Sequence, residues 1–130
     1  YKTDRLLVLD GLEGVLRTYP VGLGFAPTGH KQFEGDGRTP EGAYIIDRRN
    51  PDSLFHLSIG ISYPNAADRA FAEAEGMSPG GDIFIHGGPR PNIDPIDVRD
   101  WTAGCIAVTD GQIEEVYAMV RNGTPIDIYA

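Results

Sequence analysis

Apolar positions in this chain come in short runs that stop at glycine, proline, asparagine or aspartate, the punctuation of a strand-rich fold. Residues 5–10 (Arg-Leu-Leu-Val-Leu-Asp) read as a buried strand, 10–14 as a turn and 15–22 as a second strand, making an opening hairpin. From Gly24 to Gly42 the pattern vanishes, which predicts a long loop. Such a loop is either functional or a solvated connection built from turn formers. Residues 43–47 predict a third strand and 48–53 a turn. The alternation over 54–63 predicts a fourth strand carrying His56, a structural group rather than a base.

Two helices follow from capping signals. Asn65 caps a helix that runs to about Glu75, with Asp68 in its first turn suiting the dipole and Ala66, Ala67, Ala70, Phe71 and Ala74 as its apolar side. The segment from Gly76 to Gly81 ends it, and a fifth strand runs into His86. Thr109-Asp110-Gly111-Gln112 has the form of a capping box, and Ile113, Val116, Tyr117 and Val120 follow at helical spacing. That predicts a core-facing helix over 110–122, stopped by Gly123, and a closing strand over 124–129. The expected architecture is therefore mostly β with two short helices (α+β), in one domain spanning 1–130.

Composition narrows the function. Seventeen Gly and ten Pro are too many for a helical bundle. Eleven Lys+Arg against nineteen Asp+Glu give a net charge of −8, which argues against a surface built to grip nucleic acid or anionic lipid. No run reaches the roughly 18 apolar residues of a helical membrane span. The single cysteine excludes an intramolecular disulfide and leaves the compartment open. The chain opens at Tyr1 without Met, so the lack of a leader carries no information.

The chemistry concentrates in two stretches, Asp82-Ile83-Phe84-Ile85-His86-Gly87-Gly88 and Trp101-Thr102-Ala103-Gly104-Cys105-Ile106-Ala107-Val108. A cysteine attacks a carbonyl as thiolate, and a neighbouring imidazole both takes the proton and, once charged, lowers the thiol pKa. Gly104, lacking Cβ, allows a carbonyl to approach backbone N–H groups, and Gly87 and Gly88 free His86 to stand at a strand end. The competing reading is a cysteine buried as core. Between the two stretches, residues 88–100 are rich in Pro and Asp and carry Arg90 and Arg99, a lid or substrate wall on one reading and a surface loop on the other. Asp94, Asp97 and Asp100 recur at intervals of three, but the glycine and terminal glutamate of a calcium loop are missing, and three His with one Cys show no zinc spacing. No metal or cofactor is expected. His30 reads as a surface residue without a partner.

Several pieces together resemble one family. The His86-Gly87 pair, the Thr102, Gly104 and Cys105 motif, the upstream Thr39-Pro40-Glu41-Gly42 and the opening hairpin are similar to the YkuD-type catalytic domain of L,D-transpeptidases, which act on bacterial peptidoglycan. Residues 31–42, 62–69, 80–87 and 100–107 look like its YafK-related branch, so the match covers nearly the whole chain. The resemblance implies a sandwich-like or barrel-like domain with Cys105 as nucleophile and His86 as base, and an oxyanion hole from the N–H groups around Gly104 and Cys105. The Gly87 carbonyl would orient the imidazole. It further implies Thr102, Ala103, Trp101, Arg99, Arg90 and Tyr63 as substrate-contacting candidates, Trp101 by stacking or as packing, Tyr63 by bracing the groove. The expected partners are peptidoglycan stem peptides and, on a hydrolytic variant, a peptidoglycan-linked lipoprotein, and the expected location is periplasmic or otherwise extracytoplasmic. The chain departs from the family in carrying Ala103, and Ala107 where an arginine is common; Arg99 or Arg90 is the expected substitute. The alternatives are a hydrolase of the same fold, a non-catalytic wall-binding module, and a redox-sensing thiol, which lacks a resolving cysteine.

Overall fold

The opening hairpin forms as expected: β1 (Leu6–Gly11) and β2 (Gly14–Pro20) pair antiparallel, with a bulge between Leu9 and Asp10. In this computed structural model, which describes residues 1–130, the other strands build a five-stranded sheet. They are β3 (Gly42–Ser53), β4 (His56–Ile61), β5 (Phe84–His86), β6 (Ile106–Ala107) and β7 (Pro125–Ile128), in the order β6-β5-β4-β3-β7. Only the β5–β6 pair is parallel. The chain is thus mostly β with two helices, α1 (Ala66–Ala74) and α2 (Asp110–Met119).

One strand runs longer than its sequence suggests. Residues 48–53 do not turn but continue β3 through Ser53, and the turn falls at Leu54 and Phe55. Arg48 pairs with Gly60, Arg49 with Ile59 and Asn50 with Ser58. The arginines fit a strand because their stems and heads pack on aromatic faces: the Arg48 guanidinium lies 4.7 Å from the Phe84 ring centroid and that of Arg49 3.8 Å from Tyr117. Arg49 also donates to the carbonyls of Tyr117 and Val120 at 2.6 Å each, satisfying groups that the end of α2 leaves free.

The two helices differ in what holds them. In α2 the stripe is core as expected: Ile113, Val116 and Val120 are buried, and the Thr109–Gln112 capping box forms. The helix ends at Met119, short of 122. In α1 the capping box also forms, between Asn65 and Asp68, but only Ala72 is buried. The expected apolar side is exposed, and Phe71 meets a single aromatic partner, Phe33, at 5.9 Å. Asp68 anchors this helix instead, accepting from Tyr44 Oη at 2.7 Å and from His30 Nε2 at 2.8 Å.

Leu23, Ile46, Ile59, Ile61, Ile113 and Val116 lie at the centre of the core, none more than 2% exposed. An apolar cavity of about 450 Å³ separates the β1–β2 hairpin from the sheet and α2. Loop 24–41 is not a solvated connection. The Lys31 ammonium is buried and reaches Asp36 at 2.9 Å, and Lys2 binds the Gly29 and Thr39 carbonyls and Glu41. His30 is not a free surface residue either: its Nδ1 accepts the Glu41 N–H at 2.8 Å. With Nδ1 unprotonated, Nε2 carries the hydrogen donated to Asp68.

Candidate active site

Strand pairing brings His86 and Cys105 into one neighbourhood. Ile85 opposes Ile106 in the parallel β5–β6 pair, and both point into the core. Side chains alternate along a strand, so Phe84 and His86 on one side, and Cys105 and Ala107 on the other, project from the opposite face. The chain reaches Cys105 through a tight turn. Thr102 Oγ1 donates to the Cys105 carbonyl at 2.7 Å and accepts the Gly104 N–H at 3.1 Å, while Thr39 Oγ1 donates to the Gly104 carbonyl at 2.8 Å. Gly104 has φ +143°, and a Cβ there would lie 2.8 Å from the Arg38 carbonyl oxygen. Glycine is required at this point for both reasons.

The thiol and the imidazole each have their own hydrogen-bond partners. Cys105 Sγ accepts the Phe84 N–H and donates to the Asp82 carbonyl, both at 3.4 Å. His86 Nδ1 donates to the Gly87 carbonyl at 2.6 Å, which fixes the tautomer and leaves Nε2 as a lone-pair acceptor. Burial pushes the Cys105 thiol above its ordinary value of 9.0, outweighing the Phe84 N–H that favours the thiolate. Burial likewise pushes His86 below 6.5, against the Gly87 hydrogen bond and the Asp94 carboxylate. The pair therefore rests as thiol and neutral imidazole, and the lowered thiol pKa expected beside a charged histidine is not found.

The remaining candidates separate into three groups. Trp101 and Arg90 stand around the imidazole: the Trp101 ring meets His86 edge-on at 5.6 Å, and Arg90 is fixed by Asp94 at 2.8 and 3.0 Å. Ala103 and Arg99 are exposed, and the Arg99 guanidinium makes no ion pair. Thr102 and Tyr63 are turned away from solvent. Thr102 is 5% exposed, with its hydroxyl occupied inside the turn, where it shapes the chain around Cys105. Tyr63 is a core residue, 3% exposed, with its hydroxyl on the Pro79 carbonyl at 2.8 Å.

The two N–H groups expected to hold an oxyanion differ in their commitments. The Gly104 N–H is committed to Thr102 Oγ1, whereas the Cys105 N–H has no partner within the protein. Ala107 is buried and exchanges both backbone hydrogen bonds with Gly22 at 2.9 Å. Sequence reasoning missed Phe55, whose ring covers His86 at 4.2 Å, and the role of Thr39 in holding the thiol turn. Thr39 stood in a motif already singled out; Phe55, at a hairpin tip, gave no signal.

Comparison with known proteins identifies the family and the fold. The profile of the YkuD L,D-transpeptidase catalytic domain matches residues 1–128. YafK of Escherichia coli K12 is 36% identical over 94 residues, which cover 71% of this chain and 32% of that protein. The helical cell shape determining protein Pgp2 from Campylobacter jejuni superposes with a TM-score of 0.72 at 29% identity, over 97% of this chain and 44% of its own. An L,D-transpeptidase from Mycobacterium smegmatis shares the fold, with a TM-score of 0.64 at 15% identity, over 98% of this chain and 55% of its own. The chain thus spans about a third of YafK and under half of Pgp2. With the profile covering nearly its full length, this chain belongs to the YkuD family of L,D-transpeptidase catalytic domains.

Proposed function

We propose that this domain is a cysteine-dependent acyl transferase of the extracytoplasmic cell envelope, acting on peptidoglycan stem peptides through a thioester on Cys105. The observation that carries the reading is the pairing of β5 with β6, which sets the thiol and a tautomerically fixed imidazole on one face beside an uncommitted N–H. As the acyl donor enters, the thiol leaves the Asp82 carbonyl and passes its proton to His86 Nε2 while Sγ attacks the amide carbonyl. The Cys105 N–H receives the developing oxyanion. Collapse breaks the C–N bond, and the imidazolium returns the proton to the departing amine, leaving the thioester. A second amine attacks it, gives a proton to His86, and expels Sγ, which recovers that proton. No cofactor enters these steps.

Water in place of the second amine makes the same site a hydrolase, which removes D-alanine or releases a peptidoglycan-linked lipoprotein. Ala107 favours keeping this reading, because a buried methyl offers no guanidinium to a substrate carboxylate where the family commonly has arginine. Purified domain incubated with muropeptides, with and without an added amine acceptor, separates the outcomes by product mass. Cross-linked dimers indicate transfer, and shortened peptides without dimers at any acceptor concentration indicate hydrolysis. Neither product in wild type, or the same products from Cys105→Ala, overturns the thioester reading.

A further inference from the structure

The aromatic cover on His86 comes from the tip of the β3–β4 hairpin, a part of the chain that no motif ties to the site. The Phe55 ring lies nearly parallel to the imidazole, with centroids 4.2 Å apart and an interplanar angle of 19°. On the Phe55 ring also sits the Arg90 guanidinium, 4.6 Å from its centroid, and Trp101 leans against both Phe55 and His86 at 5.6 Å. The Phe55 carbonyl accepts the Gly87 N–H at 3.0 Å, so the same residue holds Gly87, whose own carbonyl receives His86 Nδ1–H. Hairpin tip, imidazole and following loop thus form one connected unit.

We propose that Phe55 and Arg90 are positioning residues of the acyl-transfer reaction, a stack that keeps the His86 imidazole uncharged, with Nε2 available as base, until the acyl donor arrives. The proposal rests on the acyl-transfer reading of the site. A phenyl face alone would attract an imidazolium as it attracts any cation. Here Arg90 already interacts with that ring, so a second cation gains less from it and meets like-charge repulsion. The ring still excludes water from one face of the imidazole, which costs the charged form more than the neutral one. The charged groups around the unit are Arg90 and Asp94 from the loop after β5 and Asp110 from the first turn of α2, whose Oδ1 accepts the Gly88 N–H at 2.8 Å; Cys105 is the titratable group on the β6 side. Asp94, whose two oxygens hold Arg90, raises His86 by more than Arg90 lowers it, so burial under the ring is what keeps the imidazole neutral, and Arg90 acts by occupying the Phe55 ring.

The test is an NMR titration of the imidazole signals in ring-labelled protein, with His86 assigned by its loss in His86→Gln, run beside the pH profile of muropeptide turnover. Arg90→Gln leaves the core untouched, because the Arg90 side chain lies on the surface loop; Asp94→Asn added to it removes the freed carboxylate. We expect the His86 midpoint to rise by about half a pH unit or more, roughly threefold in proton affinity, in Phe55→Leu and in Arg90→Gln, and to rise by less in the double variant, which also loses the Asp94 carboxylate. Phe55→Tyr, which keeps the ring, restores the wild-type midpoint, and the acid limb of turnover moves with the midpoint. An unchanged midpoint in Phe55→Leu overturns the stack even where turnover falls, and a rise in Arg90→Gln that the double variant abolishes assigns it to the freed Asp94 carboxylate and removes Arg90 from the stack. Shifted midpoints in a domain that turns over no muropeptide support the stack's effect on His86 and count against the acyl-transfer reading instead.

Discussion

Thr39 Oγ1 donates to the Gly104 carbonyl at 2.8 Å and accepts the Gly24 N–H at 3.1 Å. One fully buried hydroxyl therefore ties the long loop to the turn that presents the thiol. Thr39→Val keeps the shape and removes both bonds, leaving a buried carbonyl and a buried N–H unpaired. Each such orphan costs on the order of 1–3 kcal/mol. Thermal unfolding of Thr39→Val should show a loss of about 2–6 kcal/mol for the two together, and Thr39→Ser, which retains the hydroxyl, should recover most of it.

The resting state of the site fixes the sign of its pH dependence. Burial raises the thiol above 9.0, so the rate of alkylation of Cys105 by iodoacetamide should climb through the alkaline range with no plateau near neutrality. A thiolate–imidazolium pair at rest would instead give a plateau that starts in the acid range. For His86 the folded value lies below the unfolded 6.5, so the unfolded chain binds the proton first. Its contribution to stability is complete above 6.5 and declines as pH falls below it. His86→Gln should flatten that part of the stability–pH curve.

Gly104→Ala tests the turn itself. The positive φ and the 2.8 Å approach to the Arg38 carbonyl both oppose a methyl group. Strain of about 1–3 kcal/mol should appear in unfolding, and Cys105 alkylation should change its rate because the thiol is displaced from Asp82 and Phe84. An unchanged alkylation rate at equal stability would remove the conformational role assigned to Gly104.

Loop 24–41 carries an acid-sensitive anchor. Burial alone would raise Asp36, but N–H groups of Gln32, Phe33 and Arg38 and the Lys31 ammonium together hold it down at about 2. Its ordinary value is 3.8, so the folded carboxyl is the stronger acid. Stability from this group is full above 3.8 and lost as pH falls toward 2, about 2 kcal/mol in all. Asp36→Asn should lower stability at neutral pH and shrink the fall between pH 4 and 2; an undiminished fall would assign it to other carboxylates.

What could be read from the chain follows from the range of each interaction. The β1–β2 hairpin, both capping boxes and the Ile113–Val116–Val120 stripe depend on neighbours a few positions away, and their patterns are visible locally. Residues 48–53 look like a turn because the aromatics that accommodate Arg48 and Arg49, Phe84 and Tyr117, lie far along the chain. His86 and Cys105 are candidates on residue chemistry and family resemblance alone, since parallel pairing of two short strands leaves no periodic trace. That Thr102 and Tyr63 turn inward is not legible in the sequence, because distance from a motif does not say which way a side chain turns. Phe55 was missed for the complementary reason: an aromatic at a hairpin tip looks like any exposed turn residue until the imidazole it covers is in place.

The least local of these networks makes the sharpest stability prediction. Asp68 Oδ1 accepts from His30 Nε2 at 2.8 Å, and Oδ2 accepts from Tyr44 Oη at 2.7 Å and the Asn65 N–H at 3.0 Å. Three donors converge on one carboxylate whose side chain is 9% exposed. An amide in its place turns its NH₂ toward one of them. If it faces His30, the ring cannot oblige by switching tautomer, because Nδ1 is already taken by the Glu41 N–H. If it faces Tyr44, a buried hydroxyl loses its acceptor. Asp68→Asn should therefore cost about 1–3 kcal/mol despite its near-identical shape, in an unfolding measurement near neutral pH. His30→Ala alone should destabilise as well, and combining it with Asp68→Asn should cost less than the sum, since the amide can then point at the vacated side. Strict additivity in that double-mutant cycle would show that the helix cap, the loop and β3 are held independently, and that Asp68 does not couple them.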